Sequence, residues 1–442
     1  MERPTLAFKT FGCKANVSDT DSLYLEATRR GYQVVDENER ADAYIINSCT
    51  VTAGADRDAR LQANRFKRQN PLGVVAVIGC YAQVSKDQLL AMPEVDLVVG
   101  TAEKFRALDL IEESLERGTW ERDAVQPASG FLPEIFPGSR NARASIKIQD
   151  GCNFSCSFCI IPKARGRSRS LAPTLIETQI LEANRQGYQE IILTGIHLAH
   201  YGWDIGSDLL SLLRTILKRP TGPRIRLSTL DPFEIPDELI ALMRQNERLC
   251  PHFHIALQSG SDEVLTGMRR IYQAREFIDV TQKIYAAQSH AFIGVDLIVG
   301  FPGETDLHFE QTVKCLEASP WTQLHVFPFS VRQGTRAAHL SGHVAPETIR
   351  SRSEGLRIWS DEKHRAFLRS QIGRDLQVVL ERPLRKEKGM WQGHSENYVP
   401  VTVHTPHSKT KDLIFVTATA MRRNRILGKL NAEILRSSSL PS

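Results

Sequence analysis

Cysteine is scarce in this chain, with eight in 442 residues. No apolar run approaches the length of a membrane span, and even residues 292–301 are interrupted by Asp296. The first residues lack the apolar core of a signal peptide. No fixed-period repeat recurs along the chain. Together these absences argue against a membrane protein, a disulfide-stapled secreted domain and a solenoid, and they set a cytoplasmic location as the expectation. Net charge is small, at +5. It is unevenly placed: from Arg365 onward there are 14 Lys and Arg against 6 Asp and Glu, or +8, which leaves −3 for the remainder. A basic C-terminal piece on a near-neutral body suits an anionic partner, nucleic acid before membrane.

What cysteine there is clusters. Cys152, Cys156 and Cys159 fall within eight residues, followed by Lys163, Arg165, Arg167 and Arg169. They stand just after a predicted strand at 145–149, the first of six strand-like runs (190–193, 224–227, 252–257, 292–299 and 323–329) alternating with helical patterns. Six such units suggest an incomplete version of the eight-unit barrel, whose chemistry sits at the carboxyl ends of its strands. Three clustered thiolates suit zinc or an iron–sulfur cluster. A structural zinc needs a fourth ligand that the spacing does not supply, and a four-iron cube on three cysteines keeps one iron open.

Cys13, Cys49 and Cys80 are far apart in sequence, yet each directly follows a predicted strand (6–11, 43–47 and 74–79). With a further strand at 95–100 and helical patterns between, residues 1–117 read as a parallel sheet covered by helices. The carboxyl ends of parallel strands share one edge, so three thiols placed there converge on one crevice. Residues 118–143 carry three Pro and three Gly with little periodicity and read as a linker. A barrel region is expected over 144–371. Short β-rich runs at 376–381, 398–403 and 412–419 point to a small β-domain over 372–442.

Cys152-x3-Cys156-x2-Cys159, with Phe158 before the last cysteine, resembles the radical S-adenosylmethionine (SAM) superfamily. The resemblance implies that the open iron chelates SAM, which is then cleaved reductively to a 5′-deoxyadenosyl radical. Thr-Phe-Gly-Cys-Lys-Ala-Asn (10–16), Ile-Asn-Ser-Cys-Thr-Val-Thr (46–52) and Val-Ile-Gly-Cys-Tyr-Ala-Gln (77–83) are similar to the N-terminal domain of the methylthiotransferases. Residues 148–169, 193–198, 257–260 and 296–305 extend that resemblance, which spans about 5–330. It implies two four-iron clusters, the second on Cys13, Cys49 and Cys80 carrying the transferred sulfur. It further implies a flavodoxin- or ferredoxin-like electron donor, an unknown sulfur source, and a small RNA-binding barrel at the C-terminus.

Gly-Cys-Lys (12–14), Cys-Thr-Val-Thr (49–52), Ile-Gln-Asp-Gly-Cys (148–152), Ile-Ile-Pro-Lys-Ala-Arg-Gly-Arg (160–167) and Leu-Thr-Gly-Ile-His-Leu (193–198) resemble the branch acting on N6-threonylcarbamoyladenosine in tRNA. Val17-Ser18 departs from it, where that branch carries Gln and an aromatic. The sister branches act on isopentenyladenosine in tRNA or on a ribosomal-protein aspartate, and a non-catalytic zinc-containing RNA-binding protein is the alternative of a different class. Phe158, Thr194, Gly195, Ser228, Gln258, Ser259 and Gly300 are candidate SAM contacts at loop and strand ends, and His197 and His200 are candidate substrate contacts. Lys163, Arg165, Arg167, Arg169, Arg422, Arg423 and Arg425 are candidate RNA contacts. Trp391 and Tyr398 suit core packing, and Cys250 and Cys315 suit structural roles.

Overall fold

A computed structural model of the chain describes residues 3–117, 122–127 and 141–431. Six strands, β1 (Thr5–Thr10), β2 (Gln33–Val35), β3 (Ala43–Ser48), β4 (Val74–Gly79), β5 (Leu97–Val99) and β6 (Asp123–Ala124), form an all-parallel sheet in the order β2-β1-β3-β4-β5-β6. β3 and β4 are buried at every position. Their alternate residues serve two cores. Ile45, Ala76 and Ile78 meet Leu23 and Ile111 on one face, and Tyr44, Ile46 and Val77 meet Ala63 and Phe66 on the other. That double burial explains why the strands read as unbroken apolar runs. β6 lies within the expected linker, so the sheet continues into 118–143. The rest of that linker and residues 432–442 lie largely outside the described residues.

A second parallel system follows. β7 (Ala144–Lys147) leads into a short hairpin, β8 (Gln149–Asp150) with β9 (Arg169–Ser170), which brackets the Cys152–Cys159 loop. β10 (Glu190–Thr194), β11 (Arg224–Leu227), β12 (Thr229–Leu230), β13 (His252–Gln258), β14 (Phe292–Val299) and β15 (Gln323–Pro328) complete it. The hydrogen-bonded runs are β11-β10-β7 and β12-β13-β14-β15, with only Ser228 between β11 and β12. Ile191, Leu193, Ile225, Ile255, Val295 and Leu297 pack outward into the helical layer. Strand alternation therefore turns Glu190, Arg226, His254, Asp296 and His325 toward the lumen, which is polar.

The helix Pro346–Ser370 carries the chain to a closed barrel of β16 (Asp375–Pro383), β17 (Met390–Ser395), β18 (Pro400–His404), β19 (Leu413–Arg422) and β20 (Arg425–Leu430). Three of these strands are legible in the sequence. β17 and β20 lack clean alternation and enter through pairing with β16, β18 and β19. The small barrel docks on the floor of the larger one through backbone carbonyls. Arg224 donates to the Gln377 and His394 carbonyls and Arg226 to that of Ser395. No helix among the described residues is long and apolar enough to cross a membrane.

Candidate active site

Cys152, Cys156 and Cys159 lie between β8 and the helix Ile161–Arg165, at the carboxyl end of the barrel. Burial pushes the Cys159 thiol up to about 12, and Cys156 is also raised by burial. Such thiols ionise only when positive charge is supplied nearby. Arg270 Nη1 donates to Cys156 Sγ at 3.2 Å, the Phe154 amide donates to Cys152 Sγ at 3.4 Å, and His197 Nδ1 lies 3.7 Å from the same sulfur.

The other trio is assembled by the sheet. β1, β3 and β4 are neighbours, and Cys13, Cys49 and Cys80 sit just past their carboxyl ends. Gly12 and Gly79 turn the chain there with φ of +95° and +94°. A Cβ on Gly12 would fall 2.6 Å from Cys49 Cβ, so only glycine admits the two loops so close. Burial pushes Cys49 up to about 12, with the nearby Cys80 and Cys13 thiols adding to the rise.

Arg165 joins the two sites, and it corrects the sequence reading. It was expected to face RNA, yet it is 1% exposed. Its Nε donates to Cys80 Sγ at 3.3 Å, its Nη1 to both Asp150 oxygens at 2.9 and 3.0 Å, and its Nη2 to Asn16 Oδ1. Asp19 extends the network to Lys104 and Lys147, and Lys147 also meets Asp150 at 2.9 Å. Burial alone would raise the Asp19 carboxyl, but Lys104, Lys147 and Arg165 hold it well below the usual carboxylate range. Arg169 is half-buried, 3.5 Å from Asp150, and donates to the Arg165 and Arg167 carbonyls. Lys163 and Arg167 are exposed.

The SAM candidates divide. Phe158 and Gln258 line a cavity of about 220 Å³ shared with Cys159, Asp296 and, from the sheet, Val51 and Thr52. Gln258 holds φ of +63° there, an uncommon conformation for a side-chain-bearing residue. Ser228 Oγ is buried at its strand end without a hydrogen-bond partner among the described residues. Thr194 is buried at the end of β10, and Gly195 packs against Gln149. Ser259 and Gly300 brace their own loops instead, Ser259 Oγ accepting from the Ser261 amide and the Gly300 amide donating to Glu304.

His197 and His200 stack at 3.8 Å, with Phe154 edge-on to both. Glu234, which the sequence did not reveal, lies 2.7 Å from His197 Nε2 and 3.2 Å from His200 Nε2. Burial opposes ionisation of His197, but its Cys152 and Glu234 partners push it up to about 9. The histidines in turn draw Glu234 down to about 2 against its burial. Among the described residues, these three form the one group whose donor atoms all fall within 4.8 Å.

On the small barrel, Arg422, Arg423 and Arg425 flank a tight turn. With Arg385 and Lys386 they line an open groove of about 910 Å³. Trp391 packs beside that barrel's core. Tyr398 wedges between the barrels under the Arg226 and Arg143 guanidinium groups, at 5.1 and 5.3 Å. Cys250 and Cys315 are buried.

Residues 5–100 match the family described as Uncharacterized protein family UPF0004, and residues 146–316 match the Radical SAM superfamily. The chain is 38% identical over 386 residues to "Threonylcarbamoyladenosine tRNA methylthiotransferase MtaB" of Aquifex aeolicus, covering 85% of this chain and 92% of that protein. It is 34% identical to "tRNA-2-methylthio-N(6)-dimethylallyladenosine synthase" of Oleidesulfovibrio alaskensis, covering 97% and 99%. In fold it is similar to the radical SAM methyltransferase TsrM of Kitasatospora setae, with a TM-score of 0.53, 15% identity, and coverage of 74% of this chain and 75% of that one. The match over both the sheet and the barrel, at this identity and over nearly whole lengths, means that the chain belongs to the radical SAM methylthiotransferase family.

Proposed function

We propose that the protein is a tRNA methylthiotransferase that replaces the C2–H of N6-threonylcarbamoyladenosine, next to the anticodon, with C2–SCH3. The observation that carries this reading is the pair of cysteine trios, one from the sheet and one from the barrel loop, joined by Arg165. The residues fit two iron–sulfur clusters. Each trio offers three soft sulfur donors, and each has a largely buried arginine side chain donating to one sulfur. Cys152, Cys156 and Cys159 would hold the cluster that binds SAM, and Cys13, Cys49 and Cys80 the second. When bound, these groups supply the electron that opens SAM and the sulfur that is delivered.

The chain's own residues do the rest. Arg270 and His197 fix the orientation of Cys156 and Cys152. Phe158 and Gln258 wall the cavity, and Val51 and Thr52 bring the sulfur site to its rim, so a reactive intermediate is shielded from water and aimed at one hydrogen. Lys163 and Arg167 at the mouth, and the Arg422–Arg425 turn, suit the phosphates of an RNA whose base is turned into the cavity. Names among the relatives support tRNA as the substrate, and those with the threonylcarbamoyl name reach the higher identity. The relatives acting on dimethylallyladenosine support the second reading, that nucleoside. A cytoplasmic location and a flavodoxin- or ferredoxin-like reductant belong to the same proposal.

Nucleoside mass spectrometry of tRNA from cells with and without the gene tests it. Loss of the methylthio form of threonylcarbamoyladenosine alone is the expected result. Loss of the dimethylallyl counterpart would establish the second reading.

A further inference from the structure

The charges in the barrel lumen are mostly matched. Arg226 Nε and Nη2 donate to Glu190 at 2.7 and 2.9 Å, Arg224 Nε donates to the same carboxylate, and His254 Nε2 pairs with Asp296 at 2.7 Å with His325 stacked beside it. Lys14 is the exception. It opens the helix Lys14–Arg29, immediately after Cys13, and its half-buried ammonium makes no hydrogen bond or ion pair with a described residue. The charges it senses are, strongest first, the cations Arg226 and Arg143, then Glu190 and Asp296. The buried Nη1 of Arg226 likewise has no hydrogen-bond acceptor among the described residues, whereas Arg143 is ion-paired, its Nη1 3.6 Å from Glu190 and its Nε 3.0 Å from Glu381. Both guanidinium groups lie over the Tyr398 ring, so Lys14 and Arg226 bring donors to spare to one cationic region. A buried donor without an acceptor is costly, and an anion reaching this space would relieve both.

We propose that Lys14, with the free Nη1 of Arg226, forms a carboxylate pocket that reads an acidic substituent on N6 of the target adenine. The chemistry of the base fits this position. C2 and the N6 substituent flank the same ring nitrogen, so a carboxylate a few atoms along the substituent lies close to the carbon that receives sulfur. Lys14 adjoins Cys13, which belongs to the site assigned to sulfur delivery. RNA phosphates remain at the mouth, near Lys163 and Arg167. SAM's own carboxylate belongs to the other trio. An apolar substituent entering the same space would leave the Lys14 ammonium and the Arg226 Nη1 donor desolvated without an acceptor, which makes the pocket a device for rejection as well as binding. This inference rests on the function proposed above.

The test is equilibrium binding of three anticodon stem-loops to the holoenzyme. One carries threonylcarbamoyladenosine, one its uncharged carboxamide, and one isopentenyladenosine. Wild type is expected to bind the carboxylate at least about 10-fold tighter than the carboxamide, and Lys14→Gln to bring that ratio within about 3-fold, with Lys14→Arg between them. Iron content should stay at about eight per chain in each variant. Wild type that discriminates while Lys14→Gln discriminates equally would overturn the role of Lys14 and leave the function standing. Wild type that ignores the carboxylate or prefers the isopentenyl loop would overturn both. Loss of iron in both Lys14→Gln and Lys14→Met would make Lys14 a support for Cys13 and sink the pocket.

Discussion

The two cysteine sites are built by opposite means. Cys152, Cys156 and Cys159 occupy one loop closed by the β8–β9 hairpin, so eight residues of chain nearly define the site. Cys13, Cys49 and Cys80 lie 36 and 31 residues apart and meet only because β1, β3 and β4 are sheet neighbours. The supporting arginines invert this pattern. Arg270 comes to the loop site from 114 residues away in sequence, whereas Arg165 belongs to the loop segment and serves Cys80 of the sheet site. The loop site takes its sulfur contacts from His197, Phe154 and Arg270, all in the barrel. The sheet site is incomplete without the barrel.

The sharpest way to break the comparison is to remove one thiol from each site. Cys49→Ala should retain about four irons and SAM cleavage but yield no methylthio product, whereas Cys156→Ala should lose SAM cleavage as well. Iron analysis and product chromatography decide it, and normal product from Cys49→Ala would end the two-cluster assignment. Next is Arg165→Gln, which removes the two-pronged partner of Asp150 in a buried setting while Lys147 stays beside both Asp150 and Asp19. It should cost roughly 3 kcal/mol in denaturant unfolding, with Arg165→Lys costing less. Gly12→Ala should cost about 2–3 kcal/mol through its positive φ and the clash with Cys49, and should deplete iron from the sheet site alone.

The smallest effect concerns pH. The folded-state pKa of His197 is raised to about 9, above an unfolded value of about 6.5. The stability it contributes is therefore full below pH ~6.5 and fades as pH rises toward 9. In the iron-free protein, unfolding followed from pH 7 to 9 should show a loss of about 1–2 kcal/mol that His197→Asn abolishes. An unchanged slope in that variant would remove His197 as its source.

The loop site was legible because close spacing is itself a signal, and the sheet site because each cysteine follows an apolar run. Arg165 was not. In sequence it is one of four basic residues beside the cluster motif, and nothing local says that Asp150, Asn16 and Cys80 close around it while Lys163 and Arg167 stay outside. Glu234 and Arg270 were missed for the same reason, since their partners come from other strands and loops. β6 hid in a segment rich in proline and glycine, where two paired residues leave no periodic trace. The lumen's polarity was present in the alternation of His252–Gln258 and Phe292–Val299, but it became meaningful only once the outward-facing positions were known.

The docking of the small barrel through the carbonyls of Gln377, His394 and Ser395 has an evolutionary consequence. A backbone acceptor is present whatever side chain the position carries, so these three contacts place no demand on the side chains there, and the demand falls instead on Tyr398 and Glu381, which meet Arg143. The outer surface of that module can therefore change without disturbing those three bonds.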